Sequence, residues 1–82
     1  MYFVYILKSS LRPDKFYIGI TSDIARRMEE HRYPKGSHYR RLYAPWELET
    51  YTVFRDKDLA EKFELYLKSH SGRAFLKKHL LP

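Results

Sequence analysis

Cysteine is absent from this 82-residue chain, so disulfides and thiolate metal sites are excluded and the redox compartment is unconstrained. Asparagine is absent as well. No apolar run is long enough for a membrane span or a signal peptide; the run from Met1 to Leu7 is short and has no basic segment before it. A cytoplasmic protein with no membrane partner is therefore expected. There is no internal repeat, low-complexity stretch or linker, and the length suits one small core, so residues 1–82 are read as a single domain. Acidic residues are also missing from two long stretches: none lies between Glu30 and Glu47, and none follows Glu64.

Those two stretches are where the bases concentrate. The first holds His31, Arg32, Lys35, His38, Arg40 and Arg41, and the second Lys68, His70, Arg73, Lys77, Lys78 and His79. The formal net charge is +6, and aromatics make up 17% of the chain, eight of them tyrosines. Tyr33, Tyr39 and Tyr43 interleave the first basic stretch. Cations alternating with aromatics suit a phosphate backbone with some stacking on bases or sugars. The plainer explanation is a basic surface that keeps a small protein dispersed. The placement of the charge, more than its size, favours nucleic acid.

Phe3 to Leu7 and Phe16 to Ile20 read as strands, being rich in β-branched and aromatic residues. Pro13 and Asp14 give the segment between them turn chemistry, so the pair is a hairpin. A register centred near Leu11 sets Tyr5 directly opposite Tyr17 on one face. Thr21-Ser22-Asp23 caps a helix whose apolar stripe is Ile24, Met28 and Ala25, with Arg27 and His31 four apart on the adjoining face. Pro45 ends a helical turn over Tyr39 to Tyr43, and Glu47 to Phe54 is a third strand. Asp56 or Asp58 caps a helix with Leu59, Phe63, Tyr66 and Leu67 as its stripe, ending before Gly72. A last helix runs from about Arg73 to Leu80. The order β-β-α-β-α-α predicts an α+β fold, a three-stranded mainly antiparallel sheet flanked by helices.

Tyr17-Ile18-Gly19, preceded by Phe3-Val4-Tyr5 and followed by Arg27, His31 and Glu64, resembles the GIY-YIG nuclease family over nearly the whole chain. The second motif is intact; the first is degenerate but keeps its tyrosine. Ser69-His70-Ser71-Gly72-Arg73-Ala74-Phe75-Leu76 resembles the tail of a small single-domain bacterial subgroup. The resemblance implies a metal-dependent endonuclease that hydrolyses phosphodiester bonds, linked to DNA repair or recombination. It implies Tyr5, Tyr17, Arg27, His31 and Glu64 as catalytic residues, with Glu64 holding one Mg²⁺ or Mn²⁺. Gly19, a strand residue without a side chain, admits a close backbone or phosphate. Arg32, Lys35, His38, Arg40, Arg41, Lys68, Arg73, Lys77 and Lys78 are the expected substrate-binding residues.

Side-chain chemistry supports these roles. Arg27 can offer a planar fork to a phosphate oxygen. His31 can relay a proton near neutral pH, with His38 as its rival. A phenol, with a reference pKa of about 10, is a base only if strongly perturbed by cations. Glu64 also lies four before Lys68, an ordinary helix pair. Many relatives carry an asparagine after the glutamate, and this chain has none, so a catalytically weak or inactive nucleic-acid-binding module is the alternative. Nothing is left over for a specificity domain, which favours recognition of structure over sequence. DNA is the expected polymer rather than RNA; a protein partner or homodimer stays open.

Overall fold

A computed structural model describes residues 1–32 and 38–82, Arg32 by its backbone only. Three strands and four helices follow in the order β1 (Tyr2–Ser9), β2 (Phe16–Thr21), α1 (Ile24–Arg32), α2 (His38–Leu42), β3 (Trp46–Phe54), α3 (Lys57–Lys68) and α4 (His70–His79). The sheet order is β2-β1-β3, antiparallel throughout. This is the α+β architecture expected.

The hairpin register differs from expectation by one step. Tyr5 pairs with Gly19, and Tyr17 with Leu7. The Ser9 amide donates to the Lys15 carbonyl at 3.0 Å, which closes a loop centred on Arg12 instead of Leu11. Moving the centre by one residue shifts each partner by two, so both tyrosines stay on one face but lie diagonally. Buried Ser9 ties this loop down: its hydroxyl donates to the Tyr43 carbonyl and accepts from the Leu11 and Arg12 amides.

Strand alternation divides the sheet into two faces. Val4, Ile6 and Ile18 point to one face, where they pack with Ala60 and Leu67 of α3 and Leu76 of α4. Tyr5, Leu7, Tyr17 and Gly19 point to the other. The β3 register is interrupted: Ile6 pairs with Thr50 but Leu7 with Leu48, leaving Glu49 as an extra residue. This bulge reverses the alternation, so Trp46, opposite Ser9, joins the tyrosine face.

The helix stripes are also rotated from expectation. In α3 the fully buried positions are Ala60 and Leu67, with Phe63 packed beside them, whereas Leu59 and Tyr66 are exposed. Asp56 is the N-cap, its side chain accepting from the Asp58 amide at 2.8 Å. α4 begins at His70, three residues before the predicted start, because Ser69 both ends α3 and caps α4. The Ser69 hydroxyl donates to the Tyr66 carbonyl at 2.6 Å and accepts from the Gly72 amide at 3.1 Å. Gly72 is thus not a helix stop. A Cβ there would lie 1.6 Å from the Tyr66 carbonyl oxygen, so its lack of side chain lets α4 start hard against α3.

Candidate active site

The tyrosine face carries the chemistry. Tyr5 is 1% exposed, and its ring lies across Gly19: a Cβ on Gly19 would come within 2.3 Å of the Tyr5 hydroxyl and 2.4 Å of Cζ. The space left by Gly19 is therefore filled by the tyrosine of the other motif, not by an incoming phosphate or backbone. The Tyr5 and Tyr17 rings are 6.4 Å apart.

Helix α1 brings His31 against both. Asp23 caps α1 by accepting from the Arg26 amide at 3.1 Å. Two turns on, the His31 ring lies 5.7 Å from Tyr5 and 5.3 Å from Tyr17, and the histidine is only 3% exposed. Its Nε2 is 3.2 Å from the Tyr5 hydroxyl. Its buried Nδ1 has no hydrogen-bond partner among the described residues. An orphaned buried nitrogen costs about 1–3 kcal/mol, a burden more often tolerated at functional sites than in plain cores.

The electrostatics separate the two groups of the pair. Burial, reinforced by Tyr17 and opposed by Arg27 and Arg40, pushes the Tyr5 phenol up to about 12. Tyr5 is therefore a protonated hydrogen-bonding group at neutral pH, although nearby cations are present to favour the phenolate. Burial, followed by Arg40 and Arg27, holds His31 below the usual imidazole range, so it is neutral at pH 7. Arg27 is partly exposed and lies 3.6 Å from Glu30, which also pairs with Arg26 at 3.3 Å.

Arg40 belongs to this cluster. Its guanidinium lies 5.9 Å from the centre of the Tyr17 ring, and it faces His31 and Tyr5 closely enough to affect both. Trp46, not singled out from sequence, positions it: the indole Nε1 donates to the Arg40 carbonyl at 2.8 Å. The indole also packs on Tyr17 at 6.3 Å and stacks on Tyr39 at 5.8 Å. The signal that points to Trp46 is the bulge at Glu49, which is not visible in a hydropathy pattern.

A cleft of about 440 Å³ runs along β2, lined on one side by Tyr17 and Tyr39 and on the other by Lys68 and Arg73. Lys68 binds Glu64 at 3.2 Å. Glu64 stands on α3, behind the opposite sheet face from the tyrosines, its side chain 16% exposed. Its ion pair is with Lys68, which itself lines the cleft. Tyr5, Tyr17, Arg27, His31 and Arg40 are drawn together; Glu64, paired with Lys68 on α3, is not part of that cluster. His38 and Arg41 are exposed on α2, and Lys77 and Lys78 on α4. Arg32 closes α1, while Lys35 lies outside the described residues.

The metal implied by the resemblance calls for hard oxygen donors. Among the described residues no three His, Asp or Glu side chains form a ligand group. Glu64 offers one partly covered carboxylate, a donor set that fits a mostly hydrated Mg²⁺ or Mn²⁺ held by a single protein ligand.

Residues 1–78 match the GIY-YIG catalytic domain, and the chain belongs to the GIY-YIG family of nuclease domains. It is 33% identical over 72 residues to a UPF0213 protein of Halalkalibacterium halodurans, covering 88% of this chain and 74% of that one. It is also 35% identical over 77 residues to the structure-specific endonuclease subunit SLX1 of Malassezia globosa, covering 89% of this chain. It spans only 17% of that protein's length. The solution structure of the UPF0213 protein from Bacillus halodurans matches with a TM-score of 0.56 at 26% identity, covering 95% of this chain and 84% of that one. Among the described residues no helix is long and apolar enough to cross a membrane.

Proposed function

We propose that the protein is a metal-dependent endonuclease that hydrolyses phosphodiester bonds in DNA, selects structure over sequence, and serves repair or recombination. The observation that carries this reading is the joined cluster of Tyr5, Tyr17, His31, Arg27 and Arg40 on a GIY-YIG catalytic domain. The structural preference is drawn from the name of the Malassezia globosa relative.

In this reading water attacks phosphorus, one P–O ester bond breaks, and the proton from water must be taken up. Protonated Tyr5 is not the acceptor; it fixes the His31 ring. Neutral His31 takes up that proton transiently, by way of the Tyr5 hydroxyl bonded to its Nε2, and returns it to the leaving oxygen. Tyr17, half-buried where the cluster meets the cleft, orients the attacking water. Arg27 and Arg40 offset the charge that develops on the phosphate oxygens. A divalent ion held by Glu64 would supply Lewis-acid polarisation of the phosphate.

A binding module without turnover is the second reading, favoured by the Lys68 ammonium that already occupies the Glu64 carboxylate. Cleavage of branched, nicked and single-stranded DNA with Mg²⁺ and Mn²⁺ separates the two. Glu64→Gln should bring cleavage to background while DNA affinity is kept, and Arg27→Ala should lower the rate by about 10²–10³. Absence of metal-dependent cleavage on every substrate, or full activity in Glu64→Gln, would leave the binding module.

A further inference from the structure

The cleft along β2 has a composition that the catalytic reading does not use. One wall is aromatic and held by several contacts. Tyr39 donates its hydroxyl to the Phe16 carbonyl at 2.9 Å, stacks on Trp46 and meets the Tyr43 edge at 5.0 Å, yet stays 39% exposed. The other wall is cationic and laid down in advance. The Arg73 guanidinium rests on the Phe16 ring at 5.6 Å, and Lys68 stands beside it, its ammonium paired with Glu64 at 3.2 Å. Lys15 guards the lip, lying over Tyr43 at 5.5 Å. The acid on the lining, Asp14, is spent on Arg12 at 3.3 Å.

A fixed ring facing preplaced cations matches a base joined to its phosphate, the pattern by which unpaired nucleotides are held. A volume of about 440 Å³ lies within the range for small-ligand sites. An interior paired base, moreover, has both faces stacked and cannot lie on Tyr39. Tyr17 lines this cleft and also touches His31, so whatever fills the cleft is next to the cluster.

Resting on the nuclease reading, we infer that the cleft receives one unpaired nucleotide beside the scissile phosphate, its base on Tyr39 and its phosphate between Lys68 and Arg73. The protein then cuts at a border between paired and unpaired strands.

The test is binding in EDTA, by fluorescence anisotropy, of a blunt duplex, the same duplex with a single-stranded flap, and free thymidine monophosphate. Wild type should prefer the flap by about ten-fold, the worth of one stacked base. Tyr39→Leu and Arg73→Ala should each lower the flap-to-blunt ratio several-fold. Tyr39→Phe, which keeps the ring, should retain the ratio and so control for folding. A 2-aminopurine at the first unpaired position should be quenched by wild type and not by Tyr39→Leu. Equal affinity for flapped and blunt DNA, an unchanged ratio in both variants, or mononucleotide binding as tight as the flap would overturn the assignment. Because EDTA removes turnover, a flap preference without cleavage in metal supports the cleft and sinks the nuclease, whereas cleavage without a preference does the reverse.

Discussion

Gly19→Ala tests how the site is built. The new methyl would be placed 2.3 Å from the Tyr5 hydroxyl, 2.4 Å from Cζ and 3.0 Å from Cε1. Ordinary carbon contacts begin near 3.5 Å, so the ring must move by about 1 Å. It has little room, being fully buried beside His31 and Tyr17. Overpacking of this kind costs about 1–3 kcal/mol. Loss of the Tyr5–His31 hydrogen bond adds about 1 kcal/mol, and the backbone gain from replacing a strand glycine returns about 0.5–1 kcal/mol. The net loss, about 1–3 kcal/mol, should lower the thermal midpoint by about 5–20 °C in a domain of this size. Circular dichroism melts read this directly. A double-mutant cycle sharpens it: adding Tyr5→Val removes the clashing ring, so the double variant should be more stable than the sum of the two losses by at least about 1 kcal/mol. An unshifted midpoint in Gly19→Ala, or strict additivity in the cycle, would refute the account in which one motif's glycine seats the other motif's tyrosine.

His31 predicts a pH effect of defined sign. Its folded pKa lies below the unfolded value of about 6.5, so the unfolded chain binds more protons below that value, and stability present above about pH 6.5 is lost as pH falls toward the folded pKa. Denaturant midpoints at pH 7.5 and 5.5 should diverge more in wild type than in His31→Phe; equal divergence rules out His31 as the source. Trp46→Phe keeps a ring but deletes the bond to the Arg40 carbonyl, at a cost of about 0.5–1.5 kcal/mol by urea titration; an unchanged midpoint places the anchor of α2 elsewhere. For duplex or branched DNA, neutralising about five phosphates should give a slope of log K against log salt near −4 to −5. A slope near zero would remove the nucleic-acid reading.

The order of elements and the shared face of Tyr5 and Tyr17 were legible because a period-2 pattern survives a shift of two in partner. The register itself was not, since loop closure depends on the Ser9 and Lys15 backbone, which hydropathy does not encode. Arg27 and His31 were placed by their four-residue spacing, but the near-complete burial of His31 was invisible: α1 is so polar that its site-facing side cannot be told from its wet side. Trp46 was lost to the bulge. Strict alternation back from Tyr51 assigns it to the opposite face, and only the extra residue at Glu49 corrects this. Glu64 pairs with the lysine one turn on, as the four-residue spacing indicated.

The double duty of Ser69 bears on how Lys68 and Arg73 meet. Five residues apart in an unbroken helix, they would project about 140° from one another and serve opposite sides. A single hydroxyl that finishes one helix and starts the next turns the chain at that point, and both cations face one cleft. The joint has no slack, for Gly72 packs against the Tyr66 carbonyl. A kink one residue wide thus behaves as a mechanical bracket, setting the aperture between two positive charges by the geometry of a corner rather than by the length of a loop.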